Sequence, residues 1–167
     1  MTDQRPTDSP PGSTAGARTI MDSLETTHEQ MRYWLDELKA LVDHLDEQGW
    51  DTWSRDHARS IIDFFGGTAR RHHWEVDRQV LPLVSGRGDS AIEAHVDQLR
   101  QDHGWLDESW SELNAQLQPV AEGFGGCDID TLRQAASVYD GLLREQLARE
   151  KEVVVPAARA SVAGAGA

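Results

Sequence analysis

At 167 residues the chain is long enough for one domain with a core of useful size. Its formal net charge of -13 argues against nucleic acid and anionic membrane surfaces as partners, because both need a cationic face, and the surplus of Asp and Glu reads as a solvated surface. One cysteine, Cys127, excludes an internal disulfide and a Cys-based zinc site, and no apolar run approaches the roughly 18 residues that span a bilayer.

In chain order, residues 1–18, MTDQRPTDSPPGSTAGAR, are rich in Pro, Ser, Thr and Gly and lack the apolar core of a signal peptide. They read as a disordered tail, with the cytoplasm as the expected location. A first helix is expected from Thr19 or Asp22 to about Gln48, because Leu24, His28, Met31, Leu35, Leu38, Val42 and Leu45 recur at helical spacing and share one face. A second runs from about Ser54 to Leu83, with Ile62, Phe65, Ala69, His72, Val76, Val80 and Leu83 on one side. Gly66 and Gly67 interrupt it at a cost in helix propensity, which would let a neighbouring backbone come close.

The third helix has the clearest pattern. Ser90 and Glu93 read as a capping box, and Ile92, Val96, Leu99, His103, Leu106, Trp110, Leu113 and Leu117 follow a heptad. Pro119 and the stretch Glu122 to Asp128 are expected to break the chain before a fourth helix, from about Asp130 to Pro156. Its inner face would carry Leu132, Ala135, Tyr139, Leu142, Gln146, Glu150, Val153 and Ala157. No segment alternates with the period of a strand, so the expected fold class is all-α. It is an antiparallel up-down four-helix bundle over residues 19–160, with a flexible C-terminus at 161–167.

Polar residues interrupt these apolar faces. His28, His72 and His103 sit on the inner stripes of the first three helices, and Gln146 and Glu150 on that of the fourth. A lone buried carboxylate costs several kcal/mol, so it is paired, protonated or metal-bound. A single core His is as well explained by hydrogen bonding to a neighbour. His and carboxylate contributed by separate helices are how bundles hold iron or manganese.

Two segments repeat each other. Residues 72–82, HHWEVDRQVLP, align without a gap on residues 146–156, QLAREKEVVVP. The first copy keeps its His and has Val76 where a carboxylate would stand. The second keeps Glu150 and has Gln146 where a His would stand.

Thr27-His28-Glu29, His72-His73 with Val80-Leu81-Pro82, Asp102-His103, and Glu150 with Val153-Val154-Val155-Pro156 together resemble the hemerythrin-like family. The resemblance covers about Ile20 to Arg159. It implies an antiparallel four-helix bundle with a non-haem di-iron centre that binds oxygen, nitric oxide or peroxide, or senses iron. It also implies His28, His72, His103 and Glu150 as metal ligands, and bridging carboxylates at positions 76 and 150, of which only Glu150 survives. The His that Gln146 replaces would bind the second iron. The remaining His28, His72 and Glu150 have the stoichiometry of a 2-His-1-carboxylate site, so one metal, iron or manganese, is expected to be better held than two.

Substitute ligands are Asp107, one turn from His103, Glu75, one turn from His72, and Asp77, which pairs by spacing with His73. Gln146 offers at most a weak amide oxygen. His73 reads as a hydrogen-bonding or flanking residue more readily than as a ligand. His57 lies about 22 Å along its helix from His72, too far to share a site, and His44 and His95 fall off the inner stripes. Trp110 reads as core packing, or as a wall of the site. Trp74 and Trp105 lie off the inner faces, where they would suit a partner or dimer contact.

Two function classes follow. One is a non-haem metal protein with oxygen, nitric oxide or peroxide as its small ligand, an oxidoreductase if it is an enzyme. The other is a degenerate, metal-free bundle that serves as a binding or regulatory module.

Overall fold

The computed structural model describes residues 14–124 and 126–164. Most of the expected N-terminal tail, residues 1–13, and the end of the expected flexible C-terminus, residues 165–167, lie outside the described residues. Residues 14–18 already belong to the first helix, and residues 161–164 to the last.

Four long helices make the fold: α1 (Thr14–Gln48), α2 (residues 52–84), α3 (Ser90–Glu122) and α4 (residues 129–164). No strand occurs among the described residues. Contacts between opposite ends show that neighbours run antiparallel. Arg133 near the start of α4 pairs with Asp46 near the end of α1 at 2.8 Å, and Arg59 near the start of α2 donates to the Ala121 carbonyl at the end of α3 at 3.0 Å. No helix is long and apolar enough to cross a membrane.

Aspartates start three of the helices. Asp51 forms a capping box with Ser54, and Asp128 accepts from the N–H groups of Asp130 and Thr131. The cap of α3 is Asp89, which accepts from Ala91 and Ile92, rather than the expected Ser90. Glu93, its expected capping partner, accepts from the N–H of Gly86 in the preceding turn.

Pro119 does not end α3 as its lack of an N–H led us to expect. The helix continues to Glu122 and stops at Gly123, whose φ of 84° is the left-handed conformation that glycine adopts at little cost. Tertiary bonds hold this last turn: Trp50 Nε1 donates to the Val120 carbonyl at 2.9 Å and Arg59 to that of Ala121.

Wide π-helical turns interrupt α2 at Phe64–Ala69 and Val76–Val80, and α4 at Glu150–Val154. In the first, the close neighbour of Gly66 is the Trp110 ring rather than a backbone; a Cβ there would lie 3.8 Å from it. In α4 the extra residue of the π turn rotates the helix. The buried positions after Glu150 are therefore Val154, Ala158 and Val162, one residue beyond the expected Val153 and Ala157.

The core has two apolar parts. One is built around Met31, Leu35, Phe65, Trp110, Leu113, Leu132 and Tyr139. The other is built around Met21, Val76, Val80, Leu99, Val154 and Ala158. Burying each Leu, Phe or Val stabilises by about 2 kcal/mol, so these two parts hold the bundle, and they leave room for a polar layer between them. Trp110 packs with Phe65 and Tyr139 in the first part. Trp74 and Trp105 are exposed, and Arg78 lies over the Trp74 ring at 4.9 Å.

Candidate metal centre

Glu150 stands at the centre of the polar layer, 0% exposed. It opens the π turn of α4, and its carboxylate faces the other three helices. His28 Nε2 of α1 lies 2.8 Å and His72 Nε2 of α2 lies 3.1 Å from Oε2. The amide Nε2 of Gln146, one turn earlier on α4, donates to Oε1. His103 Nε2 of α3 lies 3.6 Å from the same oxygen, an ion-pair distance rather than a hydrogen bond. One donor atom each from His28, His72 and Glu150 falls within a common 4.8 Å. Such a spread suits ligands of one ion, whose bonds of about 2.1 Å put opposing donors some 4 Å apart.

Burial raises the pKa of Glu150, but the nearby His103 and the hydrogen bonds from His28 and His72 overcome it and hold the carboxyl well below its usual range. Geometry and charge therefore agree that the carboxylate is ionised.

The structure brings together His28, His72, His103 and Glu150, each from a different helix, and adds Gln146, which is fully buried. Of the substitute carboxylates, only Asp77 meets one of these residues. Asp107 is 59% exposed and pairs with Arg70 at 3.5 Å, so it does not turn toward His103. Glu75 is half-buried and makes no hydrogen bond or ion pair with the layer. Asp77 accepts from His103 Nδ1 at 2.8 Å and not from His73, the partner that spacing along α2 suggested. His73 is buried with its ring stacked on His103 at 4.8 Å, and its Nε2 has no partner. Burial and the charge of His103 hold its pKa down at about 3.

Burial pulls the His103 pKa down, but the hydrogen bond to Asp77 and the nearby Glu150 carboxylate outweigh it and raise it to about 9. The Asp77 carboxylate, accepting from Nδ1–H at 2.8 Å, favours the charged ring over the neutral one. The 3.1 Å contact between Gln146 Nε2 and His103 Nε2 is a hydrogen bond only while the ring nitrogen carries no proton.

His57 and His44 take no part: His57 stacks on Trp53 and bonds Glu37, and His44 bonds Asp51. One pair was missed. Asp102 of α3 is joined to Arg149 of α4 and accepts from Gln98 at 2.9 Å. These residues directly precede His103 and Glu150, so the ion pair sets the register of the two site residues. The Asp102-His103 dipeptide was visible in the sequence, but nothing along the chain points from it to Arg149.

Two hollows reach the layer from outside. One of about 370 Å³ ends at His73 and His103 between α2 and α3. The other, about 190 Å³, ends at His28 between α1 and α4.

A histidine from each of three helices around a buried glutamate from the fourth is matched by sequence comparison. The hemerythrin HHE cation-binding domain matches residues 19–158. The chain belongs to this family. Being a hemerythrin-like domain, it is a member of a group that binds non-haem metal, and its His28, His72 and Glu150 are placed to do so. It is also similar to an uncharacterized protein of Haemophilus influenzae, 22% identical over 100 residues. That match covers 60% of this chain and 58% of the relative, so the chain spans less than two thirds of the relative's length. No solved structure matches the chain.

Proposed function

We propose that this hemerythrin-like domain holds a single non-haem ion, iron or manganese, and handles a small ligand of the O2, NO or peroxide class. The observation that carries this reading is Glu150. It is a fully buried carboxylate facing His28 and His72 at 2.8 and 3.1 Å, three donors of the 2-His-1-carboxylate kind. Gln146 Oε1, buried beside them without a partner, fits the same reading. A bound iron would supply open coordination positions and a redox couple at this point.

The chain's own residues supply the rest. Glu150 would contribute the anionic donor and His28 and His72 the neutral ones. Asp77 orients His103 so that its Nε2 faces the layer. Val76, 0% exposed where the family resemblance implies a second bridging carboxylate, puts an apolar side chain there instead. One ion is therefore favoured over two.

One observation favours the metal-free reading. Glu150 already accepts from His28, His72 and Gln146, so its charge is compensated without a cation. Elemental analysis of the protein purified from iron- and manganese-supplemented medium separates the two. Close to one ion per chain, lost with chelator, is expected. Less than a tenth of an ion per chain under both supplements would leave the binding-module reading.

A further inference from the structure

Among the described residues two buried side-chain polar atoms lack a hydrogen-bond partner, His73 Nε2 and Gln146 Oε1. The second is the more telling. Gln146 is 0% exposed, so bulk solvent does not reach its oxygen. The nitrogen of the same amide has two neighbours, Glu150 Oε1 and His103 Nε2.

A half-turn of the terminal torsion exchanges oxygen and nitrogen with almost no change of shape. What holds the present orientation is the sign of charge at Glu150: a carboxylate attracts the NH2 end and repels the oxygen. A cation held by that carboxylate reverses the preference. It attracts the amide oxygen and repels the NH2. The atom that turns inward replaces one that already touches Glu150 Oε1, so it falls where two oxygens can share one ion.

Building on the metal reading above, we infer that Gln146 is an oxygen ligand to the ion held by His28, His72 and Glu150 and sets which ion the site prefers. An imidazole at this position would favour zinc and the later transition metals. An amide oxygen is a harder donor and shifts the preference toward oxygen-seeking ions such as Mn²⁺. Gln146 stands where the second copy of the repeat has lost its histidine, so the substitution retunes the site as well as weakening it.

The test is equilibrium dialysis of Mn²⁺ and of Zn²⁺ against the chelated and reloaded full-length protein, as wild type, Gln146→Leu and Gln146→His. Circular dichroism checks the fold of each. Gln146→Leu should weaken Mn²⁺ by about tenfold or more, on the scale seen when groups supporting a metal are removed, and Zn²⁺ by less. Gln146→His should raise the ratio of Zn²⁺ to Mn²⁺ affinity by a similar factor. In wild type, the Gln146 side-chain amide proton resonances should shift as diamagnetic Zn²⁺ is added, which tests the contact without any variant. Wild type that binds the ions while Gln146→Leu keeps both affinities, or while the amide resonances stay still, overturns the inference and leaves the metal reading intact. Wild type that binds neither ion overturns both.

Discussion

Residues 72–82 and 146–156 share a backbone and differ in chemistry. Each contains a π turn beginning at the fifth residue of the repeat, Val76–Val80 in one and Glu150–Val154 in the other. The N–H of Leu81 reaches back to the Val76 carbonyl, and that of Val155 to the Glu150 carbonyl, five residues earlier in both. The next residues are Pro82 and Pro156. Proline has no N–H and its ring crowds the carbonyl four residues before it, so a regular ladder fails there and a wider turn relieves it. Position 76 and position 150 are both 0% exposed on the bundle axis. Val76 there joins an apolar cluster, whereas Glu150 gathers three histidines and an amide. One backbone device delivers a side chain to the centre, and the identity of that side chain alone decides whether the place is core or site.

Removing the one carboxylate that the repeat retains at this place should have the largest effect. Glu150→Gln is expected to abolish metal binding. In the chelated protein it should also cost about 3 kcal/mol, the scale for breaking a buried charge pair, because His28, His72 and His103 all face this carboxylate. Thermal melts of wild type and variant, each with and without chelator, measure both. A variant as stable as wild type under chelation would mean that the carboxylate serves the metal alone. A destabilised variant, together with wild type whose melting ignores metal, would favour the metal-free module.

Restoring the donor that each copy lacks is the converse experiment. Val76→Glu combined with Gln146→His supplies the two donors the repeat lacks, and bound metal should rise from one per chain toward two. Elemental analysis reads this directly. If the folded double variant gains nothing, the apolar packing around Val76 has closed the second position.

The smallest effect concerns Asp77, next to Val76 in the same turn. His103 has its folded pKa raised to about 9 from an ordinary 6.5. A raised histidine contributes stability that is fully present below pH 6.5 and is lost as pH rises through about 9. His73 works in the opposite sense. Its folded pKa is depressed to about 3, so stability falls as pH drops below 6.5 toward that value. Asp77→Asn should flatten the alkaline loss in the chelated protein and leave the acid side unchanged. The expected cost near pH 7 is about 1 kcal/mol or less, since Asp77 is 37% exposed and its bond is screened. Denaturant midpoints from pH 5 to 10 give the profile. An unchanged alkaline limb would assign the His103 shift to Glu150 instead.

Helical periodicity follows from the chain itself, so the four helices and most of their inner faces could be read from Leu24, Leu99, Leu113 and their neighbours. His28, His72, His103 and Glu150 stood out for the same reason, being polar residues on apolar stripes. Contacts across helices have no such signature. Asp77 is one turn from His73 in sequence, yet it binds His103, because α3 packs against that side of α2. Asp107 looked like a donor and is drawn outward by Arg70. Asp102 acquires its role from Arg149.

The sequence by itself determined most of the residues that face inward, because side-chain direction along a regular helix depends on spacing, although Ile61, Ala136 and Leu143 are buried where Ile62, Ala135 and Leu142 were expected. The repeat revealed which donors each copy lacks. Only the tertiary structure decided where α3 ends, which way the Gln146 amide points and which partner each inward group meets. Pro119 stays helical because Trp50 and Arg59 hold the carbonyls beyond it. The amide orientation is set by a carboxylate whose charge is itself held by histidines from three other helices. Such choices depend on distances between segments far apart in the chain, and only packing fixes those distances.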